Sequence, residues 1–493
     1  MSLIRASLFL TLAELFFNFS GYITRSALTR ILGPEDYGRY GIIITFSTLV
    51  VVLIGRGIPI AMSKQLSEVI TSRPQLVLPI KVTAAKIQVV LILAASLIYW
   101  LLSPVFAWAL NDSSLTPLFR LSTLTIPTFA AASFYIYYFN GLQQFGRSSL
   151  TKLSRGIFKI GLVVSLGMLF SISGAVWGHA LTPLAVFIFA WLIDTSNSKF
   201  RTASNKSSTK TESSPQEVDW KSLLGFAWPV ILFMIFYELM ISIDLYMVKA
   251  ILGSDSQAGF YDVALTISRI PYHGFYFLTI ILLPKISQIL SNKKTQEAQR
   301  IVQKAFRFLL MILIPGVALL SIFASSAITL FSGNDYLEAT GALQIIAFGM
   351  GFLTIFYILA FVLKGAGENH ISMRIAFMGG LVNSLLNFFL IQKWGLPGAA
   401  IATSLTSFLV MILAIYFTKR KIGSFLPGVD LVKYLLATGV ISLLALNLPP
   451  GKFIFLIWSI LLMGLYLTLL WILRAINLED GRYLKNNFLK RKP

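Results

Sequence analysis

Cysteine is absent from all 493 residues, and histidine occurs only three times. The first absence excludes disulfides, thiolate nucleophiles and cysteine-held metals. His179, His273 and His370 stand too far apart in sequence for a histidine metal cluster to be expected. Charge is scarce too: 12% of the residues are Asp, Glu, Lys or Arg, against roughly 25% in an ordinary soluble domain. No phosphate-binding glycine-rich loop of the P-loop kind appears, so no directly nucleotide-driven step and no cofactor is expected. What fills the space is apolar. Hydrophobic residues make up 56% of the chain, which places it among membrane proteins. The net charge of +21 would point to nucleic acid only if gathered on a soluble patch. It is scattered between apolar segments, so no nucleic-acid partner is expected.

A span needs about 20 mostly apolar residues. That window predicts an all-α polytopic protein with fourteen spans near 7–32, 38–63, 80–105, 116–141, 147–171, 174–194, 222–250, 258–290, 300–327, 340–364, 370–392, 396–418, 430–448 and 453–475. The N-terminal run carries Glu14 and lacks a small-residue cleavage site, so it reads as a retained first helix and not a signal peptide. Alternate loops are basic: Lys64 to Lys86, Arg147 to Lys159, Lys199 to Lys221, Lys285 to Arg307, Lys419 to Lys421, and the tail from Arg474. Those between them are short and neutral or acidic. By the positive-inside rule, both termini are cytoplasmic in a plasma-membrane protein. Residues 195–220 are Ser-, Thr- and Lys-rich with almost no apolar content, which predicts a flexible cytoplasmic linker. The basic tail 476–493 is suited to anionic membrane lipid or to a plain positive-inside anchor.

The halves flanking the linker resemble each other. "ILGPEDYGRYG" at 31–41 recurs as "ILGSDSQAGFYD" at 251–262, and "GAVWGHALT" from Gly174 recurs as "GAAIATSLT" from Gly398. The offset drifts only from 220 to 224. Six spans per copy return the chain to its starting side, so the copies insert in parallel, as in transporters with a central substrate site. The expected organisation is a six-helix lobe at 1–194, the linker, a second lobe at 221–421, and an added helix pair at 422–475 before the tail.

Charges at membrane depth fall on the first two spans of each copy: Glu14, Arg25 and Arg56, then Glu238, Asp244, Asp262 and Arg269. Helical spacing aligns Glu14, Asn18, Gly21, Arg25 and Thr29 on one stripe, and Asp262, Thr266, Arg269, His273 and Tyr276 on another. Arg30 is about 140° from Arg25 and should snorkel outward; Arg120 reads as interfacial. Each lipid-facing arginine would cost about 2.5 to 3.5 kcal/mol. Arg25, Arg56 and Arg269 therefore belong in a wet chamber or in ion pairs such as Arg269–Asp262 or Arg25–Asp244. The planar, always-charged guanidinium suits phosphate. Tyr22, Tyr237 and Tyr276 are candidates for stacking on sugars or for plain packing.

The segment "RSALTRILGPEDYGRYG", the twelve-span repeat, the added pair and the arginine-bearing spans 1, 2 and 8 resemble the polysaccharide exporter branch of the multidrug/oligosaccharidyl-lipid/polysaccharide exporter superfamily. Lipid II flippases form a neighbouring branch. The resemblance implies a V-shaped pair of lobes alternating between inward-open and outward-open forms. It implies a cationic cavity for the diphosphate and sugar of a polyprenyl-diphosphate-linked glycan, with the lipid tail left in the bilayer. Arg25, Arg56 and Arg269 match cavity arginines of the lipid II flippases. A further cavity arginine of that branch has no match, since Asn18 and Phe19 stand near its place. The expected function is export of the glycan to the outer leaflet, without covalent chemistry. Membrane potential is one candidate driving force; Na⁺ or H⁺ exchange through Glu238, Asp244 or Asp262 is the other. The rivals are a cation-coupled drug antiporter, which would want an acid-lined cavity, and a polytopic glycosyltransferase, which would want larger outer loops.

Overall fold

The helix Val77–Ala109 is inside out by the standard of a soluble protein. It buries Gln88 and Ser103, while Val90, Leu93, Leu97 and Leu101 are exposed. Only an apolar solvent favours that arrangement, because lipid solvates leucine as well as a protein core does and polar groups must find partners inside. The same inversion recurs along Asn369–Ile422, where Asn383 and Asn387 are buried and Leu381, Leu385, Phe388 and Phe389 face outward.

In this computed structural model residues 3–70, 72–195 and 232–475 are described, and among them the regular structure is helical without a strand. The helices are α1 (Leu3–Val69), α2 (Val77–Ala109), α3 (Thr116–Ser122), α4 (Thr125–Gly141), α5 (Phe145–Phe158) and α6 (Val164–Thr195). After the undescribed stretch come α7 (232–240), α8 (Ile243–Leu252), α9 (Asp255–Ser268), α10 (Ile270–Ser291), α11 (Thr295–Ile322) and α12 (Ala324–Phe331). The chain continues with α13 (Thr340–Gly365), α14 (Asn369–Ile422), α15 (Gly428–Ala445) and α16 (Ile454–Ile472). The expected linker lies outside the described residues except for Thr195, as do the start of the second expected lobe up to residue 231 and the tail 476–493.

Nine stretches among the described residues are long and apolar enough to cross a membrane, and three of them exceed 50 residues. At 1.5 Å per residue such a rod would be over twice the bilayer's roughly 30 Å core. Each breaks internally. Residue Gly33 has φ 71°, Ser171 has φ 51° and Gly395 has φ 59°. Pro34 follows the first break directly and Pro397 follows the third by two residues, so the helical hydrogen-bond ladder cannot run through either.

Left-handed residues punctuate the turns in a repeating way. Gly33 and Gly253, Asn111 and Gly333, Gln143 and Gly367, and Ser171 and Gly395 all have positive φ. Their separations are 220, 222, 224 and 224 positions.

The chain forms two compact units: Met1–Asp262 with Ala376–Gly395, and Val263–Ile375 with Leu396–Pro493. In the first, α1 packs against α4, α5 and α6. Its apolar core gathers Ile58, Met62, Leu66, Ile80, Phe134 and Phe139. A second aromatic knot joins Phe46 to Phe106, Phe119 and Tyr246 at centroid distances of 4.6, 5.4 and 5.4 Å. In the second unit α13 packs against α10 and α11, and α15 against α11 and α16. The added pair is pinned there by Arg307, which binds Asp430 at 3.1 Å and donates to the Ala475 carbonyl at 2.6 Å.

Candidate functional site in the first unit

α1 and α5 run side by side in one direction, in a constant register. Lys152 Nζ binds Glu14 Oε2 at 2.6 Å. One turn on, the Arg155 guanidinium lies over the Phe17 ring at 4.4 Å and the Phe129 ring at 4.3 Å. One turn further, Lys159 Nζ sits 3.3 Å from where a Cβ on Gly21 would stand. Each rung joins residues 138 positions apart. The contact stays close because Gly156 on α5 presses on Phe16 and Ser20 of α1. At Lys159 the α5 ladder widens into one π-helical turn, 159–163, a distortion often found at functional sites.

One turn beyond Gly21 on the same α1 stripe comes Arg25. Its Nη1 donates to Asp262 Oδ2 at 2.5 Å and to Tyr37 Oη at 3.3 Å. The arginine side chain is 21% exposed and the carboxylate 3%. Asp262 fits there because its partner element is bare: a Cβ on Gly41 would stand 2.8 Å from Asp262 Oδ2. His179 of α6 lies within Coulombic reach of Lys159, Arg155 and Arg25. Its Nδ1 has no hydrogen-bond partner among the described residues. The interior of this unit therefore carries one stripe of acid–base, cation–aromatic and cation–glycine contacts running up to an arginine–carboxylate pair.

A second charged cluster surrounds the Gly33 elbow. Asp255 accepts from Arg39 Nε at 2.7 Å and from Lys249 Nζ at 2.5 Å. Lys249 also donates to Asp112 Oδ2 at 2.8 Å, and Arg39 reaches Glu35 at 3.1 Å. Partial burial works against ionisation of Asp112, but Lys249 and Ser114 outweigh it and hold this turn carboxyl below the usual carboxylate range.

The sequence-predicted residues distribute unevenly. Arg25 and Asp262 form a direct pair, which replaces the alternatives Arg25–Asp244 and Arg269–Asp262. Asp244 is fully buried and accepts from Tyr261 Oη at 2.8 Å and from the Leu245 amide at 2.9 Å. Glu14 pairs with Lys152, and Asn18 is half-buried on α1. Glu238 is half-buried on α7 and makes no ion pair among the described residues. The side chain of Arg56 lies outside the described residues. Arg30 is exposed, as its place off the stripe requires. Arg120 is exposed with its guanidinium 4.7 Å from the Trp100 ring centre.

In the second unit, Arg269 stands at the N-cap position of α10, and bonds from its amide to the Leu265 carbonyl and from the His273 amide to its own carbonyl carry the turn from α9 into α10. The His273 ring is tied back to the Arg269 carbonyl through Nδ1 at 3.0 Å. Tyr276 stacks on Tyr357 at 6.2 Å, with Tyr272 edge-on to the same ring at 5.0 Å. Among the described residues no group of three metal-ligating side chains occurs.

Sequence reasoning missed Arg155 and Lys159, which it assigned to a basic loop because Arg147, Lys152, Arg155 and Lys159 read as one positive run. Their three- and four-residue spacing was the available signal: it places Lys152, Arg155 and Lys159 on one helical face.

Known proteins agree with this architecture. MatE matches residues 229–389. The uncharacterized membrane protein MJ1068 of Methanocaldococcus jannaschii is 27% identical over 48% of this chain and 48% of its own. MJ1375 of the same organism is 24% identical over 85% of this chain and 99% of its own. The chain thus spans about half of the first and nearly all of the second. A probable low-salt glycan biosynthesis flippase of Haloferax volcanii, Agl15, is 22% identical over 32% of this chain and 34% of its own. Among solved structures, the lipid II flippase MurJ in an inward closed conformation superposes with a TM-score of 0.73 at 17% identity, covering 94% of this chain and 98% of that one. At that identity the superposition speaks for the fold alone, a polytopic helical membrane architecture. The family described as polysaccharide biosynthesis protein matches residues 3–290, more than half of the chain, and the protein belongs to it.

Proposed function

We propose that the protein is a flippase that carries a polyprenyl-diphosphate-linked oligosaccharide from the cytoplasmic to the outer leaflet by alternating access, in the service of cell-surface polysaccharide assembly. The observation that carries this reading is the partly exposed Arg25 guanidinium, set beside Asp262 and Tyr37 in the polar interior of a helical membrane protein of this family. Left facing lipid it would cost about 2.5 to 3.5 kcal/mol. Paired but still accessible, it offers further donors to a phosphate that cannot cross hydrocarbon alone. The names of Agl15, a sequence relative, and of MurJ, a structural neighbour, give the same direction. No covalent step is needed, so no catalytic residue is assigned.

Fourteen crossings follow if each rod broken at Gly33, Ser171 or Gly395 counts as two, and if α3 with α4, α7 with α8, α9 with α10, and α11 with α12 each count as one. The matched turn separations near 222 support two parallel six-span copies, and the basic loops support cytoplasmic termini in the plasma membrane. With the inside negative, a dianion moving outward gains roughly twice 2.3 kcal/mol per 100 mV, so the potential alone suffices to drive export. The drug-antiporter reading fares less well, because Asp262 and Asp244 are already engaged by Arg25 and Tyr261.

The test is a flipping assay in proteoliposomes with a fluorescent prenyl-diphosphate-linked sugar. Wild type should expose the label to a membrane-impermeant quencher faster than empty vesicles. Arg25→Ala should lower that rate at least tenfold with unchanged protein insertion. A wild type no faster than empty vesicles would end the flippase reading.

A further inference from the structure

Three rungs join α1 to α5, and the third differs in kind. Glu14 answers Lys152 with a carboxylate, and Phe17 answers Arg155 with a ring. Gly21 answers Lys159 with nothing. The ammonium rests at the α1 backbone, 3.3 Å from the place of a missing Cβ. Among the described residues no carboxylate lies within ion-pair distance of Lys159. The charged groups that act on it are Arg25 and Arg155, both cationic. Its nearest aromatic contact, the Phe17 ring at 5.5 Å, is far weaker than a salt bridge would be. A lysine so placed inside an apolar bundle keeps its charge only when an anion joins it. It also stands at the π-helical turn, where the widened backbone leaves carbonyls and side chains out of α-helical register.

We infer that Lys159, seated on Gly21 one turn below Arg25, is a phosphate-binding residue of the first unit. The ligand chemistry is a phosphate or diphosphate anion that completes the open third rung. The inference rests on the reading of the cargo as a prenyl diphosphate and deepens it: the cationic site is carried by α5 as well as by the arginine of α1. Arg25 is held by Asp262 at 2.5 Å, so its charge is already answered, whereas the Lys159 ammonium has three donors and no acid. Lys159 recruits the anion, and Arg25 supplies directional hydrogen bonds from the next turn. His179, on which the same cations act, has its Nδ1 without a hydrogen-bond partner among the described residues. Gly21 is bare for a geometric reason, since any larger side chain would occupy the space between the ammonium and the helix.

The experiment uses purified full-length protein in nanodiscs of uncharged phosphatidylcholine, titrated with farnesyl diphosphate, with binding followed by intrinsic tryptophan fluorescence. Lys159→Gln should weaken binding at least tenfold while its melting temperature matches wild type, and Lys159→Arg should retain most of the affinity. Gly21→Glu supplies the missing carboxylate. It should abolish binding while melting at or above the wild-type temperature, since it builds a third rung like Glu14–Lys152. Equal affinity in wild type and Lys159→Gln would overturn the assignment and leave the flippase reading intact. A wild type that binds no farnesyl diphosphate yet moves another cargo would remove the reading on which it rests. Competition by inorganic pyrophosphate would confirm that the anion alone is recognised. Equal competition by phosphatidylglycerol would place an ordinary phospholipid headgroup at Lys159 and overturn the assignment to transported diphosphate.

Discussion

Lys249 is 3% exposed and holds two carboxylates, Asp112 and Asp255, from different segments. Its removal would leave those acids near each other in a poorly solvated place, and breaking one member of a buried ion pair costs about 3 to 5 kcal/mol. Lys249→Met should therefore lower the melting temperature of the detergent-solubilised protein markedly, with Lys249→Arg much milder. Asp112 allows a finer test. Its carboxyl sits below its ordinary range when folded, so the unfolded chain binds the proton first as pH falls. The contribution of Asp112 is complete above about pH 4 and is lost as pH drops through the folded value. Asp112→Asn should lower stability near neutrality and flatten the loss of stability on acidification below about pH 4, leaving the slope between pH 6 and 8 unchanged. Melting curves across that range check both parts.

Where α1 meets α9, two copies of one sequence motif touch reciprocally. A Cβ on Gly38 would collide with the Asp255 carbonyl, and a Cβ on Gly259 with the Pro34 carbonyl. Gly38 and Gly259 are equivalent in the motif, and so are Pro34 and Asp255, each pair 221 positions apart. Each motif thus offers the other the same pair of groups, a glycine and the carbonyl four positions before it. Gly38→Ala and Gly259→Ala should each destabilise the folded protein by about 1 to 3 kcal/mol, as overpacking does. The double variant should cost less than the sum, because either methyl alone already opens the seam. Melting temperatures of the three variants decide it; strict additivity would argue that the two glycines serve separate contacts. The helical stripe on α1 was legible in sequence: Arg25 faces inward and Arg30 outward as the 100° spacing requires. The partner was not. Periodicity fixes which face a side chain takes, but the α1–α5 register and the choice of Asp262 over Asp244 arise from glycines whose meaning is the space they leave.

Across the described residues, apolar run lengths gave the helices and lipid-facing surfaces, since hydrocarbon solvent constrains composition more tightly than water does. The turns carry a clearer repeating pattern than the helices, because lipid-facing positions accept any large apolar residue while a left-handed turn tolerates few substitutes. Four pairs of positive-φ residues recur at nearly one separation, and in the last pair the backbone is almost superposable: Ser171 at φ 51°, ψ −138° and Gly395 at φ 59°, ψ −133°. That conformation suits glycine, and a residue with a Cβ held there carries about 1 to 3 kcal/mol of strain. Ser171 offsets part of it through a 3.3 Å hydrogen bond from its hydroxyl to Asp36, a long one for hydroxyl to carboxylate. If both copies build the same hairpin, the exchange should be asymmetric in a defined direction. Ser171→Gly should raise stability by about 1 kcal/mol and Gly395→Ser should lower it by a similar or larger amount, each read as a shift in melting temperature. A Ser171→Gly variant that melts lower would mean the hydroxyl's bond to Asp36 outweighs the backbone, and that the two hairpins, though alike in shape, are held by different forces.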